Sequence, residues 1–375
     1  MKKQEWQPNL SNDIVRVIME KLNWKDKFVS SLVCKSWKQV FDETQEQGTE
    51  EYLPWVMRYD LGKKSDDGGT FNFKLCDPNK QTSYNIVKEC PERHLFLDAK
   101  LHASRCGWLL FSKHIYARKI IFFFYNPFTN QIIKFPELKD RDRRQLSSMA
   151  CFSLDPTSPD CMVIALSTQL KKLNIKTCCV GDKSWKIFKF ENVGHFILDV
   201  AYGGEFFYCL FSGNLGTFNI KQHEWKVFPV RLPSYTDYLC AALNGDVIIP
   251  YLLPLYSSDN DDSNFNSLWR FLRFDSLEEK FFDEDYEMME KQVMFLGYKK
   301  LLASPTSFLV PAAGNARESA GKVFQSLGRF GGITCFSMLS AFPRRPSKVY
   351  DWMEDDKLQE IWIHPPFITT KHKYK

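Results

Sequence analysis

The residue types most often used for metal ligation and covalent catalysis are present, but their spacing does not fit those uses. The chain has 11 cysteines and 7 histidines. No C-x-x-C pair occurs, and the adjacent Cys178 and Cys179 would point to opposite faces of a strand, so they are poor partners for one metal ion. No two histidines are four residues apart, as ligands on one helix face would be. We therefore expect no metal site and interpret His195 and His223 as structural or turn residues.

Motifs for nucleotide or acyl chemistry are also missing from the sequence. Neither G-x-S-x-G nor G-x-G-x-x-G occurs. The nearest phosphate-binding loop candidate ends at Gly321-Lys322-Val323. It has Val323 where a magnesium-binding hydroxyl is needed, and Ala316 where the leading glycine belongs. The sequence therefore predicts no catalytic residue, no cofactor and a protein that is not itself an enzyme.

Composition narrows the class of protein and of partner. The 375 residues suggest two domains or one large repeat domain with an appendage, and the 15% aromatic content argues against a long disordered chain. A net charge of +5, spread evenly, does not favour nucleic acid as the partner. The most apolar run, 247–255, is too short for a membrane span and contains two prolines. The charged start and the odd number of cysteines favour an intracellular protein of the nucleus or cytoplasm.

The first 41 residues have helical periodicity. Ser11 or Asn12 can cap a helix, and a second helix is predicted to start near Asp26 and to run to Phe41. The apolar residues that define the two helices are Ile14, Val15, Val17, Ile18 and Leu22, then Val29, Leu32, Val33, Trp37, Val40 and Phe41. A unit of this size is too small to be stable alone, so it needs a third helix, the rest of the chain or a partner protein to cover its apolar surface.

After about residue 50 the pattern becomes all-β, with short aromatic runs between turn residues. A unit of strand, polar turn and second strand recurs at 71–86, 121–135, 175–188, 216–228, 269–282 and, more weakly, 334–350. Spacings of roughly 40–65 residues favour the blades of a β-propeller, because stacked blades bury both faces of each sheet. A pair of β-sandwiches is the rival architecture. Residues 312–350 fit the repeat least well, so the last blade is expected to be the least regular.

The helical segment resembles an F-box. The resemblance starts at Trp6 and Leu10 and is most specific over Leu32-Val33-Cys34-Lys35-Ser36-Trp37. It implies insertion into the Skp-type adaptor of a cullin–RING ubiquitin ligase. The adaptor-binding residues that it implies are Leu10, Ile14, Ile18, Leu22, Val33, Cys34 and Trp37. One departure is Ser11, which stands where F-boxes usually have proline; serine can cap the helix instead, and whether adaptor binding weakens is left open.

The remaining chain resembles plant F-box proteins whose C-terminal region, domain of unknown function 295, is a kelch-like β-propeller. The motifs that carry the likeness are Leu53-Pro54-Trp55-Val56-Met57, Ser104-Arg105-Cys106-Gly107-Trp108-Leu109, Tyr125-Asn126-Pro127-Phe128-Thr129-Asn130 and Ile361-Trp362-Ile363-His364-Pro365-Pro366. We expect an α plus all-β protein, with an F-box module at 1–45 and a propeller of six or seven blades at 46–370.

These features lead to three hypotheses for function. The first is the substrate receptor of a Skp–cullin–F-box ligase, which binds the adaptor, and through it the cullin and RING subunits, and holds an unidentified target protein on propeller loops. The second is a non-ligase interaction scaffold. The third, an enzyme or sugar-binding propeller, needs carboxylates at equivalent blade positions, which the hairpins lack. The charged loops 139–144 and 257–266 are more typical of solvated loops than of binding sites.

Overall fold

In the computed structural model, a helical segment at the N-terminus precedes an array of antiparallel sheets. The structure describes residues 10–22, 30–31, 33–47, 53–59, 70–77, 82–89, 92–115, 119–139, 147–169, 172–191, 196–211, 213–230, 238–242, 247–255, 266–284, 289, 291–296, 307–312, 314–326, 333–337, 347–350 and 359–363. Most of the charged loops at 139–144 and 257–266 lies outside these residues. No helix among them is long and apolar enough to cross a membrane.

In the described part of the N-terminal module, α1 spans Asn12–Lys21 and α2 spans Lys35–Gln47, and residues 30–31 between them are also helical. As predicted, Ser11 caps α1, and its side chain accepts a hydrogen bond from the backbone N–H of Ile14. The prediction of one second helix running through Val33 is wrong. Val33 and Cys34 are not helical, and α2 begins at Lys35, where its first turn is closed by the bond from the N–H of Lys38 to the carbonyl of Cys34.

After the helical module, the described chain is built mainly from strands, with a short helix α3 (Arg93–Phe96) and a 3-10 helix (Gly314–Ser319) between them. The first sixteen are β1 (Trp55–Tyr59), β2 (Thr70–Asp77), β3 (Thr82–Glu89), β4 (Lys100–Arg105), β5 (Trp108–Ile115), β6 (Lys119–Asn126), β7 (Gln131–Lys134), β8 (Leu138–Lys139), β9 (Ser147–Phe152), β10 (Met162–Gln169), β11 (Lys172–Cys179), β12 (Lys186–Phe190), β13 (Ile197–Gly203), β14 (Phe206–Phe211), β15 (Asn214–Asn219) and β16 (Trp225–Pro229). The other ten are β17 (Cys240–Ala242), β18 (Val247–Leu255), β19 (Asn266–Asp275), β20 (Lys280–Asp283), β21 (Gln292–Leu296), β22 (Phe308–Pro311), β23 (Lys322–Ser326), β24 (Ile333–Ser337), β25 (Ser347–Tyr350) and β26 (Gln359–Ile363).

The sheets confirm a β-propeller after a helical F-box-like module. Blades two, three and four are β4–β7, β9–β12 and β13–β16, each with its strands paired in chain order. Blade one combines β1–β3 with β26. All six predicted hairpin units are strand pairs in the structure. The division of the chain at residue 45 stays a prediction, since α2 runs to Gln47.

The last part of the ring departs from this pattern. Strands β17–β20 and β21, β23, β24, β25 make two further four-stranded units, but β22 lies between β17 and β21 and merges them into one nine-stranded sheet. Strand β22 pairs parallel to β17 and antiparallel to β21. The described strands therefore form six blade units, and the irregularity falls in the last of them, near the region that fits the sequence repeat least well.

Three of the blade hairpins share one turn. In blades two and four, the side-chain oxygens of Asn126 and Asn219 each accept hydrogen bonds from two backbone N–H groups, two and three residues further on. The carboxylate of Asp275 does the same in blade five. The residue four positions after each has a positive φ, at Asn130, His223 and Glu279. In each turn, a short polar side chain accepts hydrogen bonds from backbone N–H groups close to it in sequence. This explains why these hairpins can be recognised in the sequence.

Aromatic and aliphatic side chains fill the spaces between neighbouring blades. Because side chains alternate along a strand, each blade packs on both neighbours. In β1, for example, Trp55, Met57 and Tyr59 join the cluster shared with blade two, while Val56 joins the cluster shared with the last blade. The inner strands therefore bury both of their faces, and the blades form a closed ring.

Trp225 in blade four is fitted against a glycine. A Cβ atom placed on Gly216 would lie 2.0 Å from Cη2 of Trp225, far inside van der Waals contact. The indole ring also lies near Phe190 of blade three and Phe211 of its own blade, with ring centroids 6.0 Å apart in both cases. Gly216 therefore leaves the space in which Trp225 joins blades three and four.

We predict that Gly216→Ala lowers the free energy of unfolding by about 1–3 kcal/mol, because the indole is displaced. In a Trp225→Leu background the same substitution should cost less than about 0.5 kcal/mol, since the clash is gone. Urea unfolding of the four proteins of this double-mutant cycle measures both values. Equal costs in the two backgrounds would show that the ring is not the reason for the glycine.

Candidate docking interface

The helical module has a hydrophobic core of its own. Val15 and Met19 of α1, four residues apart on one helix face, pack against Val40 and Phe41 of α2. All four are buried, and Leu22 and Trp37 pack partly buried around them. This buried cluster contains no strand residue, so the two helices hold each other together.

Polar contacts fix how the helices meet. The hydroxyl of Ser36 donates to the side-chain oxygen of Asn12 at 2.8 Å, which joins the first residue of α1 to the start of α2. On the exposed side of α1, Arg16 forms an ion pair with Asp13 at 3.1 Å. That pair is worth little in free energy because both side chains reach solvent. The geometry is therefore set by the apolar core and the Ser36–Asn12 bond.

Opposite this core lies an exposed apolar surface, which we call the docking face: Leu10, Ile14, Val17 and Val33. The exposed fractions of these side chains are 39%, 50%, 57% and 57%. Residues 10, 14 and 17 follow the spacing of one helix face, and Val33 comes from the break before α2. The part of the chain that the structure describes leaves these four side chains exposed. Clustered exposed apolar side chains are typical of a surface that binds a partner.

The structure separates the seven residues implied by the F-box resemblance into two groups. Leu10, Ile14 and Val33 belong to the docking face, and the half-buried ones are Ile18, Leu22, Cys34 and Trp37. Val17 is as exposed as Val33 but was not among the seven, although its position three residues after Ile14 could have indicated it.

The helix break at Val33 explains why this residue is exposed, although helical periodicity would place it towards the module core. In a continuous helix, Val33 would share a face with Trp37 and Val40, which pack in the module core. Because the chain leaves helical geometry at Val33 and Cys34, Val33 turns outward instead.

Groups that could do chemistry elsewhere in the described chain are held in structural roles. His102 is buried, its Nε2 lies 2.7 Å from the hydroxyl of Ser112, and burial holds its pKa well below the usual value. Burial also raises the pKa of the Cys161 and Cys178 thiols to about 12, which keeps them protonated and unreactive. His223 lies in a turn with φ 57° and its ring stacks on Phe188. Within the residues that the structure describes, no group of three or more His, Cys, Asp or Glu could hold a metal ion.

Comparison with known proteins finds two family models that match different parts of the chain. Residues 8–45 match the F-box domain, and residues 75–315 match the KIB1-4 beta-propeller. The chain belongs to the KIB1-4 beta-propeller family of plant F-box proteins. Its F-box therefore contains both helices and the docking face, and its propeller match covers blades two to five.

Relatives of this family member include three proteins from Arabidopsis thaliana. The F-box/kelch-repeat protein At3g18720 is 27% identical over 232 residues, which is 60% of this chain and 57% of the relative. The F-box protein At3g56470 is 29% identical over 233 residues, again 60% of this chain and 57% of the relative. The F-box/kelch-repeat protein At1g57790 is 27% identical over 235 residues. The chain spans less than two thirds of the length of these relatives.

Ser11 replaces the usual F-box proline in a backbone that would accept either residue. Its φ is −62°, close to the value that a proline ring imposes, and its ψ is 149°. Serine adds a side-chain cap on the N–H of Ile14, at 3.5 Å, and its carbonyl accepts the first helical hydrogen bond from Val15. The start of the F-box helix therefore keeps its geometry without proline.

We predict that Ser11→Ala weakens the first turn of α1 by about 1 kcal/mol, because the cap is lost. Ser11→Pro should be nearly neutral, since the lost cap is offset by a less flexible unfolded chain, worth about 0.4–1 kcal/mol. Hydrogen exchange of the Val15 amide, which donates to the carbonyl of residue 11 in every variant, measures the difference in the full chain, with about fivefold faster exchange expected in the alanine variant. Faster exchange in the proline variant than in the alanine variant would contradict this account of the first turn.

Proposed function

We propose that the protein is the substrate-receptor subunit of a Skp–cullin–F-box ubiquitin ligase. The observation that carries the proposal is the docking face, an apolar surface exposed on a module whose helices already have a core. Were these residues needed for the module's own packing, they would be buried among Val15, Met19, Val40 and Phe41. A surface left over after packing is available to a separate polypeptide, and the F-box match supports a Skp-type adaptor as that polypeptide.

The role of each proposed adaptor-binding residue follows from its exposure. Leu10, Ile14, Val17 and Val33 contact the adaptor directly. Ile18 and Cys34 are half-buried at the margin of the docking face and contribute in part. Leu22 and Trp37 act through the module core, against which they pack, and position the helices.

The proposed contribution of the chain is positional and not catalytic. The adaptor links the F-box to the cullin and RING subunits, while the propeller holds a target protein on the same chain. Tethering raises the effective concentration of target lysines near the charged conjugating enzyme, which carries out the chemistry. This role places the protein where such ligases act, in the nucleus or the cytoplasm.

We predict that Ile14→Asp weakens binding of a purified plant Skp-type adaptor by at least about tenfold, because a carboxylate would be buried without a partner. Ile187→Asp is the matched control, since Ile187 lies on the outer strand of blade three and is 51% exposed, against 50% for Ile14. Both variants should keep the wild-type fold, because each side chain already faces solvent. Calorimetric titration of the full chain with the adaptor gives the two affinities.

Equal affinities of the two variants, or no adaptor binding by the wild-type chain, would contradict the proposal. A second measurement separates the ligase role from that of a non-ligase scaffold. A ligase receptor is expected to recover cullin together with the adaptor when it is purified from plant extract, whereas a scaffold would recover neither.

A further inference from the structure

A cleft opens between blades four and five, on the face of the propeller where the β15–β16 and β19–β20 turns lie. Its apolar wall is formed by Phe206, Phe228 and Phe274, and its polar wall includes Thr217, Glu224 and Glu279. The cavity volume is about 60 Å³. That is too small for a drug-sized molecule, which needs about 300–1,000 Å³, but it accepts the end of one side chain.

Thr217 gives the cleft a hydroxyl. Along β15, Phe218 packs towards blade three and Leu215 towards blade five, so that alternation directs Thr217 to the side of blade five. Thr217 is only 4% exposed and lines the cleft, so its side chain faces a group bound there. A donor on that group can form a hydrogen bond to the threonine hydroxyl.

The charge of the cleft favours a cation. Glu279 is paired with Lys226 across the two blades, with the Nζ and Oε1 atoms 2.5 Å apart. Glu224 lines the same cleft, and its carboxylate also attracts the ammonium group of Lys226. The two carboxylates and one ammonium group leave a net negative charge next to three aromatic rings.

A rigid turn presents an exposed leucine beside the cleft. Leu277 is 93% exposed, and its neighbours Ser276 and Glu279 line the cleft. The carboxylate of Asp275 accepts hydrogen bonds from the N–H groups of Leu277 and Glu278 at 2.9 and 3.0 Å, which hold the turn. At the same turn position in blade two, Phe128 is packed away and only 4% exposed. The turn therefore holds a large apolar side chain in solvent beside the cleft, where a segment bound in the cleft would cover it.

We propose that this cleft binds an arginine side chain of the target protein, while an apolar residue of the same segment contacts Leu277. The planar guanidinium stacks on the aromatic wall, donates to the carboxylates of Glu224 and Glu279, and donates to the hydroxyl of Thr217. The inference deepens the proposed function and rests on it only in taking the ligand to be a ligase target. The chemistry of the cleft itself does not depend on the F-box.

The test uses the full chain and a fluorescent peptide of sequence Ala-Leu-Arg-Leu-Ala, followed by fluorescence polarisation. The peptide is expected to bind saturably, and its citrulline analogue, which has the same shape without the charge, about tenfold more weakly. Glu224→Gln and Thr217→Val, two changes of nearly constant volume, should each weaken binding by about three- to tenfold. Leu277→Ser should weaken it as well, because the apolar contact is lost.

Glu191→Gln is the matched control, because Glu191 is an exposed carboxylate paired with Lys172 on blade three, away from the cleft. Its affinity for the peptide should stay within about twofold of wild type.

The proposal is overturned by absence of saturable binding, by equal affinity for the citrulline or a lysine analogue, or by equal losses of affinity in Glu191→Gln and Glu224→Gln. Adaptor affinity, measured on the same variants, should not change. If the peptide does not bind but the adaptor does, only the arginine-binding proposal is contradicted. If the wild-type chain does not bind the adaptor, only the ligase role is contradicted.

Discussion

Closure of the ring by the last described strand is the constraint on which the rest of the propeller depends. Strand β26 pairs with β1 over five residues, from Trp55–Ile363 to Tyr59–Gln359. Its Trp362 is fully buried, donates its indole N–H to the carbonyl of Leu296 in the last blade at 2.8 Å, and accepts a hydrogen bond on its own carbonyl from Ser104 in blade two. A linear row of blades would expose one apolar face at each of its two ends. Because Trp362 joins the first, second and last blades, both of these faces are covered.

Local chemistry decides how much of this could be predicted from the sequence. The hairpins at Asn126, Asn219 and Asp275 each have a turn residue whose side chain accepts the backbone hydrogen bonds of the turn. The amphipathic face of α1 follows from the spacing of its apolar residues. Both features could therefore be predicted from the sequence. The insertion of β22 between β17 and β21 is set by pairing between strand edges that are remote in sequence, and no local pattern encodes it. The outward turn of Val33 results from a helix break, and the cleft at Thr217 exists only because two blades meet. The periodicity of the sequence does not reveal binding surfaces that form where segments remote in sequence come together.

Exposed apolar residues in this protein do not all have the same meaning. Four of the outer strands carry lysines at the unpaired sheet edge, namely Lys134, Lys189, Lys226 and Lys280, and such charges keep edge strands from pairing with other chains. Ile187 lies between Lys186 and Lys189 on one of these edges, so its exposure fits a protected edge. The docking face gathers four apolar side chains without an intervening lysine, and Leu277 adjoins a cleft. Context, more than exposure, distinguishes a binding residue from an ordinary surface residue.

The two proposed binding surfaces rest on supports of very different stability. The docking face is supported by a core of four buried side chains, which is small for an independent unit, so binding of a partner should stabilise the module by mass action. The cleft between blades four and five stands on a ring in which every blade is packed on both sides, and its leucine turn is fixed by hydrogen bonds to Asp275. Little conformational freedom is then lost when a target segment binds, so even a small cleft can discriminate. The helical module is therefore stabilised when its partner binds, whereas the cleft of the propeller is already ordered before its target binds.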